Sequence, residues 1–233
     1  SILAGGIINQ FYDSEKDQLT KPFRTKIQNF LKQKYFLYAY LILVATSLTT
    51  AFLISPRVFY FFLVYQFFMW FYSHKLSKIL IINNITFVSL TLYPFFGMMV
   101  YYHTFSGKVF LMAVFLFLML LVMDILKDIL TKNADKIFGY TTIPNTFGTR
   151  NAVNVVVALS VLLFTVSMLI ISNTGIHSIL PLYFAAGLFV IILSVYLLLS
   201  SVKKSNFIVL NILRIWVFVG IIAMLLDGII ERF

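Results

Sequence analysis

The sequence predicts an all-α fold, a polytopic bundle of transmembrane helices, and three observations carry that reading. Hydrophobic residues make up 61% of the 233 residues and charged residues only 11%, where soluble domains have roughly 45–50% apolar and about 25% charged residues. The mean hydropathy is +0.97. The apolar runs are long and do not alternate with polar residues. So few charges cannot cover a surface facing water, which excludes a soluble enzyme, a nucleic-acid reader and a disordered chain. The lack of alternation excludes a membrane β-barrel. The chain has no cysteine, so disulfides, thiolate catalysis and cysteine-type metal sites are excluded as well.

A helix that crosses about 30 Å of hydrocarbon needs about 20 apolar residues, and it satisfies its own backbone polar groups there. Seven runs meet this demand, at about 35–54, 58–73, 80–102, 108–128, 151–172, 178–200 and 206–229, and a partial eighth covers Ser1 to about Phe11. Breaks are expected at Pro56 and at 73–78, 104–108, 131–150, 172–178 and 201–205. Pro94 and Pro181 fall inside spans, where a missing N–H predicts a kink. Residues 1–233 read as a single transmembrane domain. Its start at Ser1, inside an apolar stretch, reads as an incomplete N-terminus.

The formal net charge is +10. In a soluble protein this would suggest a nucleic-acid partner; here it reports topology. Fourteen of the 18 Lys and Arg residues fall on one side of the segmentation: six between Lys16 and Lys34, Lys75 and Lys78, four between Lys127 and Arg150, and Lys203 and Lys204. Basic loops stay cytoplasmic, which orients the chain in a bacterial or archaeal cytoplasmic membrane with membrane lipid as its main solvent.

Six of the eight acidic residues gather in two short windows on that same side. Carboxylates near a membrane core are costly and rarely idle. The first window runs Asn9-Gln-Phe-Tyr-Asp13-Ser-Glu-Lys-Asp17-Gln-Leu-Thr-Lys21-Pro-Phe-Arg24. Asn9, Asp13 and Asp17 are four apart, so on a helix they share a face. Their oxygens are hard ligands suited to Mg²⁺, which commonly bridges one or two carboxylates to substrate phosphates. Lys21 and Arg24 could take residual phosphate charge. The same window also reads as an ordinary solvated helix end.

The second window runs from Asp124 through Lys127, Asp128, Thr131, Lys132, Asp135 and Gly139 to Pro144. Asp124 and Asp128 share a helical face at the end of a span, Asp135 follows two turns later, and Gly139 is the expected helix stop. The bland alternative is an amphipathic loop helix carrying weak Lys–Asp pairs. The apolar residues that precede Asp124 count against it.

Together the windows resemble the UbiA superfamily of intramembrane prenyltransferases. Asn9, Asp13 and Asp17 match its Asn-x-x-x-Asp-x-x-x-Asp motif, and Lys21-Pro22-Phe23-Arg24 matches the basic tail that follows. Asp128, Asp135, Gly139, Thr142, Ile143 and Pro144 match a second acidic motif that precedes Gly-x-x-Thr-Leu-Pro, and Gly148 and Ala152 continue the match. Tyr72-Ser-His-Lys75-Leu-Ser-Lys78, followed by Asn84, resembles a third segment. The likeness covers about residues 5–152. It departs from the family at Thr131, where members usually carry an acidic residue, and in the expected nine spans.

The resemblance implies Mg²⁺-dependent transfer of a polyprenyl group from a prenyl diphosphate to a lipophilic or aromatic acceptor at the cytoplasmic face. Asp13 and Asp128 are the implied catalytic residues. Asn9, Asp13, Asp17, Asp124, Asp128 and Asp135 are implied around the metal, with Asp124 either a ligand or a residue orienting one. Lys21, Arg24, Tyr72, Lys75, Lys78 and Lys132 are the diphosphate candidates. A quinone precursor, a haem-type ring or a prenylglycerol phosphate would suit as acceptor, and the Lys-Asp-Ile texture around Lys127 leans toward the last. A non-catalytic member, motivated by Thr131, a cyclase working without acceptor, and a multi-helix transporter are the alternatives. The transporter would show ionisable residues near midspan.

Other residues read blandly. His74, His103 and His177 are loop or interface residues, Arg214 snorkels, the Phe-rich stretch at 58–72 is lipid-facing bulk, and Asp227 and Glu231 end the last helix.

Overall fold

The computed structural model describes residues 1–20, 33–174, 178–200, 202 and 204–230. In chain order the helices are α1 (Ile2–Tyr12), α2 (Ser14–Thr20), α3 (Gln33–Ile54), α4 (Pro56–His74), a single 3₁₀ turn (Leu76–Lys78), α5 (Ile82–Tyr102), α6 (Gly107–Ile137), α7 (Ile143–Phe147), α8 (Thr149–Ser172), α9 (Leu180–Leu199) and α10 (Ser205–Ile230). No strand occurs among the described residues.

Six of these helices, α3, α5, α6, α8, α9 and α10, are long and apolar enough to cross a membrane. The protein is therefore an integral membrane protein. The seventh expected span, α4, forms as a 19-residue helix but is not among the six. Arg57, Gln66, Trp70 and its tyrosines dilute its hydropathy. Large apolar side chains such as Leu53, Leu182, Phe189 and Tyr196 are exposed, as they should be where the solvent is lipid.

Two further expectations are corrected. Pro181 does not interrupt a span. It lies in the first turn of α9, where its missing N–H has no intrahelical partner to lose. The span expected over about 108–128 is also longer than its apolar run, since the break expected at 131–150 falls around Gly139 and α6 continues to Ile137. Its 31 residues reach roughly 46 Å at 1.5 Å per residue, longer than a hydrocarbon core of about 30 Å. The surplus is the charged C-terminal part.

The chain divides into two compact units, Ser1–Met98 with Thr131–Thr142, and Met99–Leu130 with Ile143–Phe233. In the first, α1 packs on α3 and α4, and α3 on α4. Small residues allow the approach: a Cβ on Gly5 would lie 2.0 Å from Met69 Cε of α4, and one on Gly97 of α5 would lie 2.2 Å from the Phe61 ring. Close helix contact through small residues is a recurrent device in membranes. Tyr93 of α5 stacks on Phe61 at 4.5 Å and on Tyr65 at 5.1 Å between ring centroids. Ser55 opens α4 by accepting the Val58 N–H at 3.2 Å, with Pro56 at the first helical position.

In the second unit α8 packs on α9, α9 on α10, and α7 on α8. Ala152, Val156, Ser160, Leu163, Ser167 and Ile170 form the buried stripe of α8. Ser160 and Ser167 return their hydroxyls to their own helix, to Val156 and Leu163 carbonyls at 2.8 Å each, and so satisfy them inside the buried stripe. Tyr183 of α9 stacks on Trp216 of α10 at 4.7 Å. Its hydroxyl lies over Gly220, where a Cβ would sit 2.6 Å away.

Candidate active site

The first acidic window is not one continuous helix. α1 ends at Tyr12, α2 begins at Ser14, and Asp13 is the junction, with φ −91° and ψ 6°. The hydrogen bonding nonetheless keeps helical sense: Asp13 N–H donates to the Asn9 carbonyl at 2.9 Å and Asp17 N–H to the Asp13 carbonyl at 2.8 Å. The four-residue spacing therefore does bring Asn9 onto Asp13, where Asn9 Nδ2 donates to Asp13 Oδ2 at 3.0 Å. Ser73 Oγ of α4 lies 3.5 Å from Asn9 Oδ1 and 3.1 Å from the Met69 carbonyl. A hydroxyl has one proton to give, so the shorter contact is the bond and the contact to Asn9 is marginal.

The second window is shaped by how α6 stops. Gly139 takes φ +71°, a conformation that costs glycine nothing. Gly139 N–H then donates to the Lys136 carbonyl at 3.4 Å and Tyr140 N–H to the Asp135 carbonyl at 2.8 Å. This pair of bonds is a Schellman stop, as the sequence predicts at this glycine. The following residue fastens the loop: Thr141 donates both its N–H, at 3.2 Å, and its hydroxyl to the Lys78 carbonyl. Held at both ends, the loop delivers Tyr140 to the first window. The phenol donates to Asp13 Oδ1 at 2.5 Å, from a residue 127 positions away in sequence.

Asp135 is fully buried. Lys16 of α2 places its ammonium 2.5 Å from Asp135 Oδ1. The contact is an ion pair by distance and lacks hydrogen-bond alignment. Thr131 donates its hydroxyl to the other oxygen, Oδ2, at 2.7 Å. The same ammonium lies 4.0 Å from the Tyr140 ring centre, with that of Lys78 at 5.5 Å, within cation–π range. Burial, and then the neighbouring Asp13 carboxylate, push the Tyr140 phenol well above its ordinary value. Tyr140 therefore remains a protonated donor toward Asp13 at any physiological pH.

The predicted site residues distribute unevenly. Asn9, Asp13 and Asp135 come together, linked by Tyr140 and Lys16. Asp17 lies on α2, with Thr20 Oγ1 3.5 Å from its carboxylate. Asp124 and Asp128 are buried on earlier turns of α6, within the second compact unit, and Asp124 pairs with Lys127 at 2.6 Å. Tyr72 is half-buried against Phe87 and near enough to Tyr140 to add to the rise of its phenol. Lys75 and Lys78 are exposed and Lys132 is half-buried. Lys21 and Arg24 lie outside the described residues.

Among the described residues no group of three or more His, Asp or Glu side chains gathers in a metal-holding cluster. The donor chemistry still fits a hard cation. Asn9, Asp13, Thr131 and Asp135 offer oxygen alone, and the buried Asp135 already holds a positive charge against it.

Sequence reasoning missed Lys16, which it counted among the topology-setting bases. It also missed Tyr140 and the hydroxyl of Thr131 as a partner of Asp135. The placement of Tyr140 immediately after a glycine helix stop was the one local signal. Nothing local marks Lys16.

The comparisons with known proteins bear on the family and the fold. The sequence model of the UbiA prenyltransferase family matches residues 1–222. A digeranylgeranylglyceryl phosphate synthase of Thermococcus gammatolerans is 29% identical over 209 residues, which cover 87% of this chain and 72% of the relative. The enzyme of the same name from Methanosphaera stadtmanae is 31% identical over 168 residues, 72% of this chain and 61% of the relative. A solved structure of a digeranylgeranylglyceryl phosphate synthase superposes with a TM-score of 0.68 at 22% identity, covering 97% of this chain and 81% of that one. A UbiA homologue from Archaeoglobus fulgidus, solved with GPP and Mg²⁺, superposes with a TM-score of 0.66 at 14% identity, covering 94% and 82%. At these identities the solved structures speak for the fold.

Proposed function

The chain belongs to the UbiA prenyltransferase family, and from that premise we propose that it transfers a polyprenyl group from a prenyl diphosphate to the hydroxyl of a prenylglycerol phosphate, with Mg²⁺, at the cytoplasmic face of the membrane. The observation that carries this reading is the network that joins Asn9 and Asp13 to Asp135 through Tyr140 and Lys16. The names of the relatives support the glycerol-phosphate acceptor. The bound GPP and Mg²⁺ of the Archaeoglobus fulgidus homologue support the donor and the metal.

Asn9, Asp13, Asp17 and Asp135 are the residues we assign to Mg²⁺. Bound there, Mg²⁺ supplies the charge that a departing diphosphate needs. The remaining steps belong to the chain. Asn9 and the protonated Tyr140 fix the Asp13 carboxylate from both oxygens, so it meets its ligand without reorganising. Lys75, Lys78 and Lys132, together with Lys21 and Arg24, counter the diphosphate oxygens. The allylic C–O bond breaks with its electron pair passing to diphosphate, and tyrosine and phenylalanine ring faces shelter the allylic cation without attacking it. The acceptor oxygen then bonds to the allylic carbon and gives up its proton to water or a carboxylate at the polar edge.

The test is Mg²⁺-dependent transfer by the purified protein, using labelled geranylgeranyl diphosphate and geranylgeranylglyceryl phosphate. Asp13→Ala should abolish product while the protein still inserts in the membrane. Full turnover by that variant would remove Asp13 from the site. Product without acceptor would point to a cyclase, and no product with any acceptor to a non-catalytic member.

A further inference from the structure

The mechanism above has no use for Lys16, yet Lys16 occupies the centre of the site. Its ammonium lies 2.5 Å from Asp135 Oδ1 and 4.0 Å from the ring whose hydroxyl binds Asp13. Its side chain is 15% exposed and that of Asp135 is 0% exposed, so the pair has been taken largely out of water. The other Asp135 oxygen receives a neutral hydroxyl from Thr131. Among the described residues, Lys16 is thus the cation in contact with this carboxylate. A divalent metal and an ammonium repel each other at such range in a poorly solvated site, so the two compete for Asp135. The lysine stem is long and flexible, and its head carries a point charge that moves readily to a new anion.

We propose that Lys16 is a displaceable counter-ion of the site. It holds Asp135 until a prenyl diphosphate enters, then transfers its ammonium to the diphosphate oxygens and releases Asp135 to the metal. Metal alone is held off, and metal binding becomes conditional on substrate. Lys16 is then a diphosphate-binding residue, placed by α2 on the polar side of the first acidic window. This inference rests on the metal-site reading given above.

The experiment follows Mn²⁺ binding to the full chain in detergent by electron paramagnetic resonance. It is run with and without a geranylgeranyl thiodiphosphate, which ionises slowly. For Lys16→Gln, which keeps a neutral donor near Asp135, affinity for Mn²⁺ alone should rise about tenfold, the size expected when one competing charge is removed. Affinity for the thiodiphosphate at saturating metal should fall by a similar factor. Lys16→Arg, which keeps the charge, should stay near the unaltered protein in Mn²⁺ binding.

Unchanged or weaker Mn²⁺ binding by Lys16→Gln overturns the proposal. Asp13→Asn separates the two readings. If Mn²⁺ binding survives that change, the metal site is misassigned; if Asp13→Asn abolishes binding and Lys16→Gln does not alter it, only the role of Lys16 fails. Should Lys16→Gln not fold, amine acylation of Lys16 in the unaltered protein, read by mass spectrometry, carries the test. The labelling rate should change when Mn²⁺ and thiodiphosphate are added together and not with Mn²⁺ alone. A rate indifferent to both overturns the proposal.

Discussion

Two buried carboxylates, one in each compact unit, show how differently an acid can be kept out of water. Asp135 is fully buried against a lysine ammonium and a threonine hydroxyl. Asp227, near the end of α10 and 5% exposed, meets its partners among the described residues through one oxygen: Oδ1 accepts the Ser178 hydroxyl and the Ile179 N–H, each at 2.7 Å. Those donors sit at the start of α9, a helix whose own N-cap makes no side-chain hydrogen bond. The carboxylate of Asp227 therefore replaces a cap and meets the positive end of a helix. Its partners are fixed in the backbone fold, whereas the partner of Asp135 sits at the tip of a flexible stem. Burial is common to both acids; the kind of partner is what differs.

One substitution divides the two positions. At 135 the charge itself is needed, so Asp135→Asn should lower kcat/KM per folded molecule by about 100-fold or more in the prenyl-transfer assay, and should also lower the melting midpoint in detergent, because the Lys16 ammonium loses its buried counter-charge. At 227 only an acceptor oxygen is needed. Asp227→Asn should be nearly silent in both assays, while Asp227→Ala strands two donors and should cost about 2 kcal/mol in thermal or denaturant unfolding, with activity per folded molecule kept. If Asp227→Asn lost activity and Asp135→Asn did not, the contrast would be inverted. A smaller effect is expected at Tyr140. Tyr140→Phe removes one hydrogen bond to a carboxylate, about 1.5 kcal/mol at the low end for such a bond, and should lower kcat/KM roughly tenfold without altering the pH dependence of the Mg²⁺ requirement between 6 and 8, because burial holds the phenol protonated there.

Much of this was legible in the chain. Hydropathy located the seven long helices to within a few residues, because in lipid the apolar run and the helix are the same object. Beyond Asp128 it gives only the end of the apolar run, and turn chemistry at Gly139 supplies the end of the helix, because α6 stays helical past its apolar part, with contacts such as Asp124 with Lys127 and Thr131 with Asp135 along the charged turns. A hydropathy reading ends the span there and cannot see that the helix continues. Asn9, Asp13 and Asp135 were found by their spacing and by resemblance, and Gly139 by turn chemistry. Lys16 was not, since a lysine in a basic loop looks topogenic until the fold brings a distant aspartate to it. Thr131 looked like a missing acid, and its hydroxyl turns out to orient the remaining one.

Gly139 has one more consequence. Nothing lies within 4 Å of where a side chain would begin, yet its φ is +71°. The position thus discriminates by backbone conformation and not by bulk: a side chain there would meet open space and still be strained, so the loop that carries Tyr140 is set by what glycine lacks.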